Sequence, residues 1–166
     1  SIPAGATTAR EGEWMQGPGA ELFEAAERAL GPLNIIAEDL GVLDEGVVAL
    51  REACGFPSMK VMLFAFDGEE DNDNLPQNID EHSVVYTGTH DNDTALGYML
   101  KQTDKQFKAL KKSIRAALKY EGAYTPVVDR SDAVRALVLC ALNARSAIAV
   151  IPVQDILCLD NWSRMN

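Results

Sequence analysis

An apolar run gives way to a polar loop at Ser83-Val84-Val85-Tyr86-Thr87-Gly88-Thr89-His90-Asp91. The β-branched and aromatic residues at its start are typical of a buried strand, and Gly88 marks a break after it. In parallel α/β proteins, ligands bind at the carboxyl ends of the strands. We therefore expect a strand at 83–86 that delivers His90 and Asp91 into a ligand-facing loop.

A second carboxylate follows an apolar run further upstream. The residues Asn34-Ile35-Ile36-Ala37 lead directly into Glu38 and Asp39. This pattern predicts a strand at 34–38 whose carboxyl end presents Glu38. Carboxylates at two strand ends are the groups that acid/base or glycosyl-transfer chemistry requires.

Strand and helix patterns alternate along the rest of the chain, which predicts an α/β fold with a parallel sheet. Two more strands are predicted, at 59–66 and 147–152. Helices are predicted at 20–30, from an N-cap at Asp44 to Cys54, from Thr103 to Leu118, and from an N-cap at Ser131 to Ala141. Four parallel strands cannot close a barrel by themselves, so the pattern predicts four βα units, or half of a (β/α)8 barrel.

The composition is that of one ordinary globular domain spanning residues 1–166, without a separate second domain: 166 residues, 47% hydrophobic and 24% charged. A formal charge of −10 disfavours a nucleic-acid or anionic-membrane partner and favours a neutral substrate. The three cysteines are odd in number and lack metal-ligand spacing, which predicts reduced thiols. With no signal-peptide pattern and no run approaching the roughly 20 apolar residues of a membrane helix, the sequence predicts a cytoplasmic protein.

The acidic stretch at 67–74 is too polar to pack and predicts a solvated loop. Calcium binding is the alternative, but the stretch lacks the ligand spacing and terminal glutamate of a calcium loop. Only His82 and His90 could contribute imidazole ligands. The sequence therefore predicts neither a metal site nor a cofactor site.

Several motifs in register resemble one family, the amylomaltases or 4-α-glucanotransferases, also called disproportionating enzymes. The motifs lie at residues 2–6, 12–19, 36–41, 56–61, 86–94, 154–157 and 164–166. The resemblance therefore extends over essentially the whole chain.

The resemblance implies a (β/α)8 barrel enzyme that transfers a glycosyl unit from one α-1,4-glucan to the 4-hydroxyl of another, with retention at the anomeric carbon. Carried over residue by residue, it implies that Glu38 is the general acid/base. It implies that Asp91 is the carboxylate that holds sugar hydroxyls and stabilises the transition state. It also implies that His90 binds sugar and that maltooligosaccharides are the partners.

One element of the family pattern is missing from these 166 residues. The family's nucleophile is an aspartate in an Arg-x-Asp-His-Phe context, and no such sequence occurs here. The resemblance therefore implies the C-terminal half of the catalytic barrel, inactive alone. The open sheet edges of a half barrel predict that it binds the remaining N-terminal half or self-associates.

Other candidate residues carry weaker signals. Asn92 beside Asp91 suits recognition of hydroxyl groups, and Trp14 could stack on a sugar, although most aromatic residues serve packing. Asn166 matches a family position near the donor sugar. Asp93 is interpreted as a helix N-cap and Asp39 as support for Glu38.

Two other functions stay open at this level. An α-glucan hydrolase would use the same acid/base chemistry. A non-catalytic glucan-binding or interaction fragment would explain the absent nucleophile.

Overall fold

The computed structural model describes residues 1–41 and 43–165. The helices are α1 (Ala20–Leu30), α2 (Glu45–Ala53), α3 (Ala95–Lys101), α4 (Asp104–Tyr120), α5 (Arg130–Asn143) and α6 (Val153–Ile156). The strands are β1 (Ser58–Val61), β2 (Ser83–Tyr86) and β3 (Ile148–Val150). Short 3₁₀ turns lie at Ala9–Glu11, Met62–Phe64, Pro76–Asn78 and Asn161–Ser163.

In the described part of the chain, the sheet has three parallel strands in the order β1-β2-β3. Tyr86 at the end of β2 pairs with Val61 of β1 and with Val150 of β3. The carboxyl ends of the three strands therefore meet at one edge of the sheet. This arrangement confirms the parallel α/β prediction, and β2 begins and ends at the predicted residues.

The core lies between the sheet and α3, α4 and α5. Helix α5 is its central element, with several side chains that are fully or almost fully buried: Ala133, Val134, Ala136, Leu137, Cys140 and Ala141. Helix α4 contributes an amphipathic face that begins at a capping box, in which the Thr103 hydroxyl and the Gln106 side chain satisfy each other's backbone N–H groups. Its lysines lie on the opposite, exposed side.

The predicted strand at 34–38 is wrong. These residues show alternating exposure but form no ladder with β1. The two β1 N–H groups that could face such a strand are already bound by side chains: Met59 N–H donates to Asp39 Oδ1 at 2.6 Å, and Val61 N–H donates to Asn74 Oδ1 at 2.8 Å. The count of four strands is therefore corrected to three.

Smaller predictions also change. The strand predicted at 59–66 ends at Val61, because the chain turns into the 3₁₀ segment Met62–Phe64. Asp129, and not Ser131, caps α5 by accepting the Asp132 N–H. Thr94, and not Asp93, caps α3.

Other boundaries are confirmed. Helix α1 occupies the predicted residues, and Asp44 caps α2 as predicted. Strand β3 lies within the predicted range 147–152. No helix in the described ranges is long and apolar enough to cross a membrane.

Candidate functional site

An open cleft of about 900 Å³ runs along the free edge of β1. Glu38 lines one side of it, and Asp91 and Asn92 line another. The two carboxylates singled out from separate stretches of sequence therefore face one space, although 53 positions separate them in the chain. This cleft is the candidate site.

Glu38 is held in place by its neighbour. The Asp39 side chain is only 6% exposed, and it binds the Met59 N–H and the Arg51 guanidinium. Because Asp39 is anchored to β1 and α2, the adjoining Glu38 is fixed at the rim while its own side chain stays exposed. The predicted supporting role of Asp39 agrees with these contacts.

Tyr86 is a site neighbour that the sequence reasoning missed. Burial is the main cause that raises the pKa of its hydroxyl, and the negative charge of Glu38 raises it further. The end of β2 therefore lies within electrostatic reach of Glu38. The sequence signal that could have identified Tyr86 is its position as the last strand residue before Thr87-Gly88-Thr89.

His90 and Asp91 lie at the tip of the loop 88–92, which we name the site loop. His90 Nε2 is 3.3 Å from Asp91 Oδ1, and the two side chains are 70% and 71% exposed. The His90 carbonyl accepts a hydrogen bond from Arg164 at 2.9 Å. His90 lines a smaller adjoining cavity of about 200 Å³ together with Gln154 and Arg164.

Asn92 has a structural task in the same loop. Its Oδ1 accepts the Thr89 N–H at 2.8 Å and the Thr89 hydroxyl at 3.0 Å. These bonds close the loop on itself. Because Asn92 Oδ1 is occupied by these bonds, we expect Asn92 to contact a sugar through its amide nitrogen.

Trp14 stands apart from the cleft. Trp14 is fully exposed in the N-terminal segment, and it is not among the described residues that line the cleft. Asn166 lies outside the described residues.

The acidic stretch forms part of the cleft wall, which the sequence reasoning did not anticipate. Asp67 lines the cleft, and the Glu69 N–H and then the Asn72 amide lower the pKa of its carboxyl, so it is ionised at neutral pH. Asn72 and Asn74 also line the cleft, but their amides form hydrogen bonds within its wall. The carboxylates of the wall are acceptors that suit a ligand rich in hydroxyl groups. Within 1–41 and 43–165, no group of three or more His, Cys, Asp or Glu side chains is arranged to hold a metal ion.

Comparison with known proteins identifies the family. A family model described as 4-alpha-glucanotransferase matches residues 1–166. This chain belongs to the 4-alpha-glucanotransferase family. The resemblance found in its motifs is thereby confirmed.

Relatives of this family member come from bacteria and plants. The chain is 42% identical over 165 residues to the 4-alpha-glucanotransferase of Streptococcus pneumoniae, covering 99% of this chain and 31% of that protein. It is 40% identical over 167 residues to that of Thermus thermophilus, covering 99% of this chain and 32% of that protein. A chloroplastic or amyloplastic 4-alpha-glucanotransferase of Arabidopsis thaliana is 40% identical over 168 residues, covering 100% of this chain and 27% of that protein.

A solved structure shares the fold. It is the amylomaltase of Streptococcus agalactiae in complex with acarbose, with a TM-score of 0.82 and 32% identity, covering 99% of this chain and 31% of that one. The chain of this family member thus spans about a third of the length of the relatives it matches.

Proposed function

We propose that this chain supplies part of the active site of a 4-α-glucanotransferase, which disproportionates maltooligosaccharides by a retaining mechanism. The observation that carries the proposal is that Glu38 and Asp91 line one cleft. The residue roles follow the family motifs: Glu38 is the general acid/base and Asp91 stabilises the transition state. The acarbose bound to the streptococcal amylomaltase supports a glucan-like substrate class.

The proposed reaction has two steps in which Glu38 changes its protonation state. First, the Glu38 carboxylic acid protonates the glycosidic oxygen as a nucleophilic carboxylate attacks the anomeric carbon, and the glycosidic bond breaks. Then the Glu38 carboxylate takes the proton from the 4-hydroxyl of the acceptor, whose oxygen displaces the enzyme carboxylate. Asp91, His90 and Asn92 bind the sugar hydroxyls, and Trp14 and Asn166 complete the proposed set of substrate-binding residues.

The nucleophile is proposed to lie in the part of the protein that this chain does not include. Retaining glycosidases place their nucleophile about 5 Å from the acid/base. The chain spans about a third of its relatives and contains no Arg-x-Asp-His-Phe sequence. On this proposal residues 1–166 are one domain, a C-terminal part of a (β/α)8 barrel in a cytoplasmic enzyme, and are inactive without the upstream part.

The test is product analysis with maltotriose. The chain is incubated alone and together with the upstream part of its parent protein, and Glu38→Gln and Asp91→Asn are run in parallel. Longer oligomers together with glucose should form only in the mixture, and both variants should abolish them. Glu45→Gln, an exposed acid in the first turn of α2, is the matched control and should leave product formation unchanged.

Two other results would replace the proposal. Glucose without longer oligomers would identify an α-glucan hydrolase. A folded mixture that binds glucan without turnover, with Glu38→Gln binding equally well, would identify a non-catalytic glucan-binding fragment. The absence of an Arg-x-Asp-His-Phe sequence from these 166 residues is the observation that favours this second candidate.

A further inference from the structure

The segment after β3, residues 153–164, holds both ends of the site loop. We name this segment the brace. Two residues of the brace, Asp155 and Asn161, form hydrogen bonds with residues that flank the site loop.

Asp155 joins the beginning of the loop to its end. The residue is 2% exposed, and its two carboxylate oxygens bind different partners. Oδ2 accepts the Thr87 hydroxyl at 2.5 Å, and Oδ1 accepts the Ala95 N–H at 2.7 Å. Thr87 directly precedes the loop and Ala95 is the first residue of α3. Both oxygens of the Asp155 side chain act as acceptors, so one buried side chain fixes the span of the whole loop.

Asn161 fixes the outgoing end a second time. Its Oδ1 accepts the Thr94 N–H at 3.0 Å, and its Nδ2 donates to Asp93 Oδ1 at 3.0 Å. The Asn161 side chain also lies so close to position 97 that it restricts which residue can occur there. A Cβ atom at Gly97 would lie 2.2 Å from Asn161 Oδ1, so no other amino acid fits there while Asn161 keeps this position.

A third tether acts on the loop itself, through the hydrogen bond from Arg164 to the His90 carbonyl. Within the loop, Asn92 binds Thr89. Residues 88–92 are therefore restrained both at their ends and within the loop. These restraints fix the position of Asp91 at the cleft.

We propose that Asp155 and Asn161 are positioning residues that hold the site loop, and through it Asp91, against the cleft that Glu38 lines. Neither is a catalytic residue, because each binds residues that flank the site loop and not the sugar. The expected effect of Asp155 and Asn161 on catalysis rests on the proposed function, whereas their expected effect on the mobility of the site loop does not. A misplacement of about 1 Å in a catalytic group can reduce the rate by about 10²-fold.

The mechanical part is tested by amide hydrogen exchange on the 166-residue chain. Asn161→Asp keeps the acceptor for Thr94 but places a negative oxygen against Asp93 Oδ1. Thr87→Val removes one hydroxyl without changing the shape of the side chain. In both variants, exchange at residues 88–92 should be about tenfold faster, as expected for one lost hydrogen bond, while exchange in α5 stays unchanged.

The catalytic part is tested in the mixture with the upstream part of the protein. Both variants should lower kcat by about 10- to 10²-fold with KM within about twofold, because loop geometry and not glucan affinity is disturbed. Asp155→Asn should retain more activity than Asp155→Ala, since its amide can still accept from Ala95 and donate to Thr87. Asp160→Asn is the matched control: Asp160 caps the Trp162 N–H in the same brace, and kcat and loop exchange should not change.

In the exchange experiment, the inference is overturned by unchanged exchange at residues 88–92, or by an increase spread evenly over the whole chain, which would mean a general loss of stability. If Asp155→Ala does not fold, Thr87→Val and Asn161→Asp decide the matter alone. Local loosening of the loop when even the unaltered mixture makes no product would support the positioning inference and reject the proposed function. An active mixture in which neither variant lowers kcat would reject the positioning inference alone.

Discussion

Asp39 is a residue whose single side chain binds two partners on different elements, Arg51 of α2 and the Met59 N–H of β1. Its side chain is 6% exposed and the Arg51 side chain is 17% exposed, and Asp39 also binds the Met59 N–H. Asp39→Ala would leave the Met59 N–H without an acceptor, and the largely buried Arg51 guanidinium with only its 3.5 Å contact to the exposed Glu52 carboxylate. We expect a loss of about 3 kcal/mol in the free energy of unfolding.

Chemical denaturation of Asp39→Ala and of the parent chain measures this change in the free energy of unfolding. The control is Glu24→Ala, which breaks the exposed pair with Arg28 on α1 and should change the free energy of unfolding by about 0.5 kcal/mol or less. Equal effects of the two substitutions would show that the Asp39 contacts do not stabilise the fold.

Cys140 gives a second prediction at the level of single residues. It is buried in α5, and burial, followed by the charge of Glu121, raises the pKa of its thiol to about 12. The reactive thiolate is therefore essentially absent at pH 8. Thiol labelling of the native chain at pH 8 should leave Cys140 unmodified, and labelling in denaturant should modify all three cysteines. Modification of Cys140 in the native chain at the rate of the partly exposed Cys54 would contradict this expectation.

At the level of elements, the C-terminus of α4 carries a carboxyl group in an unfavourable place. Glu121 is the C-cap, its Oε1 is buried without a hydrogen-bond partner among the described residues, and burial raises the pKa of its carboxyl. A raised folded-state pKa means that the group favours folding only at low pH, and that this contribution is lost as the pH rises through the folded value. The negative charge also opposes the helix dipole.

Glu121→Gln should therefore raise the urea midpoint at pH 7 and 8 relative to the parent chain, with little difference near pH 4. Denaturation curves at these pH values measure the effect. Glu21→Gln, in the first turn of the exposed helix α1, is the control and should not produce this pH-dependent gain. A gain for Glu121→Gln that is equally large at pH 4 would contradict the assignment to ionisation.

At the level of the whole molecule, β3 is the last strand of the sheet, and its outer edge pairs with no strand among the described residues. Ile148 and Val150 are 49% and 40% exposed, which is unusual for a parallel strand. Exposed apolar side chains continue beyond the strand, at Val153, Ile156, Leu157, Leu159, Trp162 and Met165. An edge of this kind pairs with another strand when one is available.

The chain should therefore self-associate when it is alone and bind the upstream part of its parent protein when that part is present. Sedimentation over a concentration series measures the self-association, and Val150→Lys should weaken it. Lys108→Ala on the exposed face of α4 is the control. A monodisperse monomer at high concentration would refute the prediction.

The sequence by itself determined the elements whose signals are local. Strand β2, the helices α1, α2 and α4, and the loop that carries His90 and Asp91 were all predictable, because a strand pattern, an N-cap or a helix-ending glycine acts over a few residues. Glu38 and Asp91 could be singled out because both follow apolar runs, although the run before Glu38 is not a strand.

Only the tertiary structure decided the contacts between distant residues. The segment 34–38 has a strand-like pattern, yet the Asp39 carboxylate and Asn74 occupy the β1 N–H groups that pairing would need. The hydrogen bonds of Asp155 to Thr87 and Ala95 span 68 and 60 positions. No local preference encodes such bonds, since they exist only once the packed core has brought their partners together.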